Sequence, residues 1–258
     1  MNIKFLLRNI RDVQYYSVGK QLLNGKFYLE GKEKSRLEYE KTPTRTVILN
    51  YLISVLNRDI VYLEIGVRNP GDNFNKINAT KKFSVDPGVE YKENPVDFKM
   101  TSDAFFSKLA AGEVLEPTIK FDVIFIDGLH LAEQVDRDIE NSMKFIAEDG
   151  FVVLHDCNPP TQWHAREAFN FMFTPAEGYW NGTTWKAFLK WRSNSNIYSC
   201  CIDSDSGVGI LSKTQPIGLA TNRTSMFHEY SEFDTHRKEY LNLISFTALK
   251  GLLNEPSF

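Results

Sequence analysis

Much of what would narrow the role of this chain is missing from its sequence. Three cysteines occur among 258 residues, two of them the neighbours Cys200 and Cys201, so no disulfide framework can be drawn. That scarcity fits reduced thiols in a cytoplasmic protein. No apolar run approaches the ~18 residues of a membrane span, and the "FLL" of "MNIKFLLRNIRDVQYY" is too short for a signal-peptide core. The N-x-[ST] patterns at Asn78, Asn181 and Asn222 carry no meaning without secretion. Excess positive charge is lacking too. A formal net charge of −3 argues against a general grip on nucleic acid or an anionic membrane surface. There is no internal repeat and no low-complexity linker. The dinucleotide fingerprint G-x-G-x-x-G is also absent, since the next glycine after Gly66 is Gly71, and this counts against a nicotinamide oxidoreductase.

What is present is an ordinary globular composition, 42% hydrophobic and 24% charged, in a chain long enough for one sizeable α/β domain. Residues 1–42 are polar and mixed, with "EGKEKSRLEYEK" reading as a solvated face or an appendage. They form an N-terminal extension to a domain over 43–258. "TPTRTVILNYLISVLN" opens a helix, with Val47, Ile48, Tyr51, Leu52 and Val55 at helical spacing. "DIVYLEIG", "KKFSVDPG", the weaker "VDFKM", "FDVIFID" and "FVVLHD" read as strands. Among them "TSDAFFSKLAAG", capped by Thr101 or Ser102, and "LAEQVDRDIENSMKFIAEDG", ending at Gly150, read as helices. Nearly all-apolar strands alternating with helices indicate a parallel sheet covered on both faces. Past Pro160, "TQWHAREAFNFMF" and "TTWKAFLKWRSN" look helical. "NIYSCCID" and "GVGILSK" suggest a closing pair of strands, and "YLNLISFTALKGLL" a last helix. Trp185, Phe188 and Trp191 fit core packing better than sugar stacking. His164 and Arg166 suit a substrate pocket or a solvated helix face equally.

In open parallel sheets, ligands bind where the carboxyl ends of the strands give way to loops. The unusual polar residues all fall there: Glu64 and Gly66, then Asp86, then Asp127 and His130, then His155 and Asp156. An acid two residues before the glycine suits a cofactor with an amine. A carboxylate at Asp86, one strand on, suits ribose hydroxyls. Gly66 is expected where a Cβ would strike the cofactor or where φ is positive.

In their order and spacing, "YLEIGV…G", "VDP", "FDVIFIDGLH" and "GFVVLHDCNP" resemble the class I S-adenosylmethionine-dependent methyltransferases. The nearest branch is the one related to macrocin-type sugar O-methyltransferases, with catechol O-methyltransferases more distant. The resemblance covers residues of about 45 to 160, and "IDGLH" with "LHD" is its most diagnostic part. It implies a Rossmann-like, doubly wound, mostly parallel seven-stranded sheet with helices on both faces. It also implies methylation of a hydroxyl on a saccharide or other small metabolite. Glu64, Gly66 and the loop through Gly71 would cradle the methionine part of the cofactor. Asp86 would bind the ribose, Ser102 would lie near the adenine, and Asp127 would stand beside the methyl group. Metal-dependent members hold Mg²⁺ with an acid and two adjacent oxygen ligands, positions that fall on Asp127, His155 and Asp156. His155 departs from that pattern, because imidazole is a poor partner for hard Mg²⁺.

Two versions of the site stay open at this point. One uses a divalent metal on Asp127, His155 and Asp156. The other uses His130 or His155, beside Asp127, as a direct base. Two other functions are set against methyl transfer: an Fe(II)-dependent hydroxylase built on the same Asp/His cluster, and a non-catalytic cofactor-binding module. Whether residues 1–42 cover the site or make a homo-oligomer is also open. One outcome is expected on this reading: Asp86→Ala weakens cofactor binding by about 1.5–3 kcal/mol, as for a hydrogen bond to a charged group. Calorimetric titration checks it, and unchanged affinity in a folded variant removes Asp86 from the site.

Overall fold

The computed structural model describes residues 3–91, 93–169, 173–221 and 227–254. The chain begins with three helices, α1 (Ile3–Leu23), α2 (Lys26–Tyr39) and α3 (Arg45–Leu56), which lead into β1 (Val61–Ile65). Next come β2 (Lys81–Val85), α4 (Ser102–Ala110), β3 (Phe121–Ile126), α5 (Ala132–Phe145) and β4 (Ile146–Leu154). The remainder is α6 (Thr184–Arg192), β5 (Tyr198–Ile202), β6 (Val208–Ser212), α7 (Tyr230–Tyr240), β7 (Leu243–Ile244) and α8 (Phe246–Asn254). The strands form one seven-stranded sheet in the order β2-β1-β3-β4-β6-β5-β7. Its pairs are parallel except those of β6, which runs antiparallel to β4 and β5.

Side chains alternate across each strand, so the sheet feeds two cores. Ile124, Ile126, Val152, Leu154 and Cys201 pack with Phe105, Val135, Trp185, Phe188 and Phe233 from α4, α5, α6 and α7. Val123, Phe125, Val153 and Cys200 turn the other way, onto Ile48, Leu49 and Leu52 of α3 and Leu249 of α8. Trp185 and Phe188 are therefore core residues, as their spacing suggests.

Several expected elements differ. "VDFKM" makes only an isolated bridge, Val85 to Phe98, and the seventh strand is instead Leu243–Ile244, ahead of α8. Gly150 lies inside β4 and is not the cap of α5. A Cβ there would come within 2.6 Å of the Asp122 carbonyl oxygen. "TQWHAREAFNFMF" forms turns over its described residues, and 170–172 lie outside them. Between β1 and β2 the regular structure is one 3-10 turn, Phe74–Lys76. The turn-forming run "NPGDN" accounts for that.

The extension is no loose appendage along α2. Gly31, Ser35 and Glu38, on one face of that helix, are buried. Ser35 Oγ donates to the Pro175 carbonyl at 3.0 Å, and Glu38 Oε1 accepts from Ser206 N at 3.1 Å. Lys41 Nζ bridges Glu38 and Asp203 at 2.6 Å each. Tyr39 stacks on Tyr179 with ring centres 3.7 Å apart. By contrast Ile10, Val13, Tyr16 and Leu22 of α1 are exposed. A Cβ on Gly31 would meet the Pro175 ring at 2.8 Å, so Gly31→Val should lower stability by about 1–3 kcal/mol, the usual range for overpacking. Urea unfolding measures this, and an unchanged midpoint would mean that α2 is not docked there.

Candidate active site

The sheet register builds the site. Ile65 pairs with both Val85 and Ile126, and Ile126 pairs with Leu154. The residues one step further, Gly66, Asp86, Asp127 and His155, therefore emerge in one row, on strands about 5 Å apart. Gly66 has φ +88°, and a Cβ on it would lie 2.3 Å from the Asp127 carbonyl oxygen. The positive φ was expected, and the Asp127 carbonyl is what stands against this bare backbone. A side chain at Gly66 would push β1 away from the start of the Asp127 loop.

Asp127, His130, His155 and Asp156 converge. His155 Nδ1 lies between two acids, 3.3 Å from Asp127 Oδ1 and 3.2 Å from Asp156 Oδ2. With carboxylates as its neighbours on that side, Nδ1 must carry its proton. His130 belongs to the cluster as well. Its Nε2 lies 3.4 Å from Asp127 Oδ1, while Nδ1 faces Asp156 Oδ2 at 3.3 Å and the Trp180 carbonyl at 3.0 Å. Asp156, in left-handed conformation at φ +61°, accepts from Asn181 Nδ2 at 2.8 Å.

Three participants escaped the sequence reading: Arg45, Asp205 and Asn181. Arg45 opens α3 and reaches His155 Nε2 at 3.3 Å through Nη1. Its Nε lies 3.6 Å from Asp127 Oδ2. Asp205 sits in the β5–β6 turn, where Asp205, Ser206 and Gly207 all have positive φ. That turn aims Asp205 Oδ1 at His155 Nε2, 3.4 Å away, and at Arg45 Nη1, 3.5 Å away. The available signal was "DSDSG", a turn sequence at the same sheet edge, read only as a connection.

Electrostatics follow from these contacts. Burial opposes the charge on Asp127, but His155, His130 and Arg45 outweigh it and hold the carboxyl well below its usual range. Burial likewise works against His130, yet Asp156 and Asp127 raise its imidazole to about 9. His155 is pushed up in the same way: burial lowers it, and Asp156 and Asp127 more than compensate.

Towards β1 and β2 the fit to an adenosyl cofactor is mixed. Glu64 is already engaged, accepting from Tyr62 Oη at 2.6 Å and from Asn73 Nδ2 at 2.9 Å. Asp86 Oδ1 accepts from Gly88 N at 2.6 Å and Asn94 Nδ2 at 2.8 Å. That orientation leaves buried Asn94 Oδ1 with no partner, an acceptor beside the acid that a ribose hydroxyl would satisfy. Gly71 is exposed in the loop, and its N–H turns back to Asn69 Oδ1. Thr101 caps α4, accepting from Ala104 N, while Ser102 Oγ accepts from Gln134 Nε2 at 3.1 Å and so faces α5.

A divalent metal fits less well. Asp127, His130 and Asp156 each offer a donor atom within 4.8 Å of the others, so distance alone would admit an ion. However, the two acids face different nitrogens of His130, which point apart. An ion among them would have to displace a ring nitrogen of His130 from the acid or carbonyl it now faces. The His155 N–H and the Arg45 guanidinium already occupy the inner side of the same carboxylates. The donor chemistry also suits Mg²⁺ poorly.

Comparison with known proteins gives one family match over part of the chain and several distant structural likenesses. Residues 69–157 match the Methyltransf_24 family model, described as a methyltransferase domain. No curated protein matches the chain in sequence. Among solved structures, MycE of the mycinamycin pathway, in complex with Mg, S-adenosylhomocysteine and mycinamycin VI, is 14% identical, with a TM-score of 0.43, covering 80% of this chain and 59% of its own. A Podospora anserina methyltransferase bound to S-adenosylhomocysteine is 14% identical at a TM-score of 0.42, covering 78% and 95%. The Streptomyces achromogenes O-methyltransferase TomG, in complex with S-adenosylmethionine, is 13% identical at 0.40, covering 79% and 96%. These identities and scores are too low to carry an activity across.

Glu64 offers a test of the site's interior. Burial raises its carboxyl from 4.5 to about 7, with Asp127 adding to the rise against the hydrogen bonds from Tyr62 and Asn73. Between those values the unfolded chain releases a proton that the folded chain retains, so stability falls as pH rises. Glu64→Gln stays neutral throughout. From pH 4.5 to 8 its stability relative to wild type should improve by about 1–3 kcal/mol, read from urea unfolding. A gap that does not change with pH would mean that Glu64 is not held in a dry environment.

Proposed function

We propose that this chain, which carries a methyltransferase domain, transfers the methyl group of S-adenosylmethionine to a hydroxyl oxygen on a sugar or other small metabolite. One observation carries the reading. A histidine and a carboxylate, His130 and Asp127, meet 3.4 Å apart at the sheet edge where the β1 and β2 ends also emerge. When bound, the cofactor supplies an already activated methyl group. The protein therefore has to align the acceptor and take its proton.

His130 is suited to that step. Its Nδ1 is committed to the Trp180 carbonyl, which leaves Nε2 as the nitrogen that receives the proton. Asp127 beside Nε2 stabilises the imidazolium as it forms. On this proposal Asp86 and Asn94 hold the ribose, and Glu64, through Tyr62 and Asn73, shapes the methionine end. His155 and Asp156 act by fixing Asp127 and His130. An aromatic rim suits a ring-shaped acceptor: Trp180 lies 5.3 Å from the His130 ring and 5.8 Å from half-exposed Phe169. Such faces pack well against the apolar side of a sugar.

An iron-dependent hydroxylase has less support. It would need two histidines and one carboxylate turned toward a common ion with open positions, whereas both rings here are turned onto the acids. Cys157, Cys200 and Cys201 are free thiols, which supports placing the protein in a reducing compartment, the cytoplasm. Among the described residues no helix is long and apolar enough to cross a membrane.

The test supplies methyl-labelled S-adenosylmethionine with a panel of monosaccharides, glycosides and catechols. Label should pass to an acceptor hydroxyl at a rate that rises with pH toward about 9, where His130 loses its proton. His130→Ala should cost about 10²–10⁴-fold in turnover and leave S-adenosylhomocysteine binding intact. A wild type that binds S-adenosylhomocysteine and methylates nothing would point to a binding module. One that does not bind it ends the proposal.

A further inference from the structure

We propose that Arg45 is the resident cation of the carboxylate cluster, taking the charge-balancing place of a divalent ion and keeping such ions out. The cluster gathers three acids, Asp127, Asp156 and Asp205, with buried Glu64 close by, around one permanently charged group. That group is the Arg45 guanidinium, whose side chain is only 25% exposed. From one position it faces Asp127 at 3.6 Å, Asp205 at 3.5 Å and His155 at 3.3 Å.

Its location argues for a purpose. Arg45 is the first residue of α3, where the helix dipole disfavours a cation. The cost is met locally: Asp205 Oδ2 accepts the Arg45 backbone N–H at 2.5 Å, and Oδ1 faces the guanidinium. Ile48, Leu49, Leu52 and Ile53, on the same side of α3 as Arg45, are buried, so the helix is anchored on the face that carries the guanidinium. Arg45 Nε is buried with no hydrogen-bond partner. It points toward Asp127 at a distance too long for a hydrogen bond, so the guanidinium serves the acid through its charge. A divalent ion entering among Asp127, His130 and Asp156 would have this fixed charge beside it on the same carboxylate. Lysine would keep the charge that opposes an ion but lose the three-way contact, because a compact ammonium cannot face three groups as a planar fork does. Arg45 is thus a positioning residue, acting through Asp127 and His155.

The inference shares its site with the proposed methyl transfer but is tested by ion binding, so it can fail without that reading failing. The protein is loaded with S-adenosylhomocysteine where that binds, and Mn²⁺ is titrated while the spectrum of the free ion is followed by electron paramagnetic resonance. Wild type should leave millimolar Mn²⁺ free. Arg45→Gln should bind Mn²⁺ at least tenfold more tightly than wild type. Arg45→Gln combined with Asp127→Asn should lose that binding. Tens of millimolar methylguanidine should displace Mn²⁺ from Arg45→Gln, an effect a merely structural arginine would not produce. Mn²⁺ bound by wild type and released by Asp127→Asn would overturn the proposal, as would a folded Arg45→Gln that gains no ion. If Arg45→Gln does not fold, Arg45→Lys decides. It retains a positive charge and should leave Mn²⁺ free, and binding by it would overturn the proposal.

Discussion

The site depends on how closely three parallel strands end beside one another. β1, β3 and β4 finish in register, and the chain can turn away from β1 only because Gly66 adopts positive φ with no side chain against the Asp127 carbonyl. This contact sets where Asp127 stands. The row through Gly66, Asp127 and His155 then fixes the spacing of the acid and the imidazole before any of their hydrogen bonds form. The polar cluster inherits its geometry from backbone pairing, which is stiffer than any side-chain network.

Such a cluster must solve a charge problem. Three carboxylates cannot sit together out of water without compensation. Here the compensation comes from three directions in the chain: Arg45 from the start of α3, His130 from the loop after β3, and His155 from the end of β4. The β5–β6 turn closes the arrangement by holding Asp205 over His155. That turn is in turn held by Glu38 of α2, which accepts from Ser206 N. A helix outside the sheet therefore bears on the site through two hydrogen-bonded steps.

The parallel strands were legible because buried strands leave near-continuous apolar runs, and "FDVIFID" and "FVVLHD" are such runs. Asp127, His130, His155 and Asp156 were legible because they interrupt those runs at strand ends. Less could be read where tertiary contact overrides local pattern. Gly150 resembles a helix cap, yet it lies in a strand that passes close to Asp122. "NPGDN" follows β1 with turn formers that leave only a 3-10 turn before β2. Arg45 and Asp205 could not be found by spacing at all. They lie about 160 residues apart in the chain and meet only after the sheet has closed. Of the two settings open to His164, the solvated face is excluded: it is fully buried, accepting or donating at Thr161 Oγ1 and Ser35 Oγ, and its carbonyl accepts from Asn181 N at 3.1 Å.

The adjacent pair Cys200 and Cys201 has a consequence of its own. Neighbours in a strand face opposite ways, so Cys201 belongs to the core shared with α5, α6 and α7, and Cys200 to the core shared with α3 and α8. Both thiols are fully buried, and a thiol reagent can reach either one only when its own layer opens. The chain thus has a natural reporter on each side of the sheet, one bond apart in sequence, and their separate labelling rates would distinguish loosening of the α3 layer from loosening of the α5 and α6 layer.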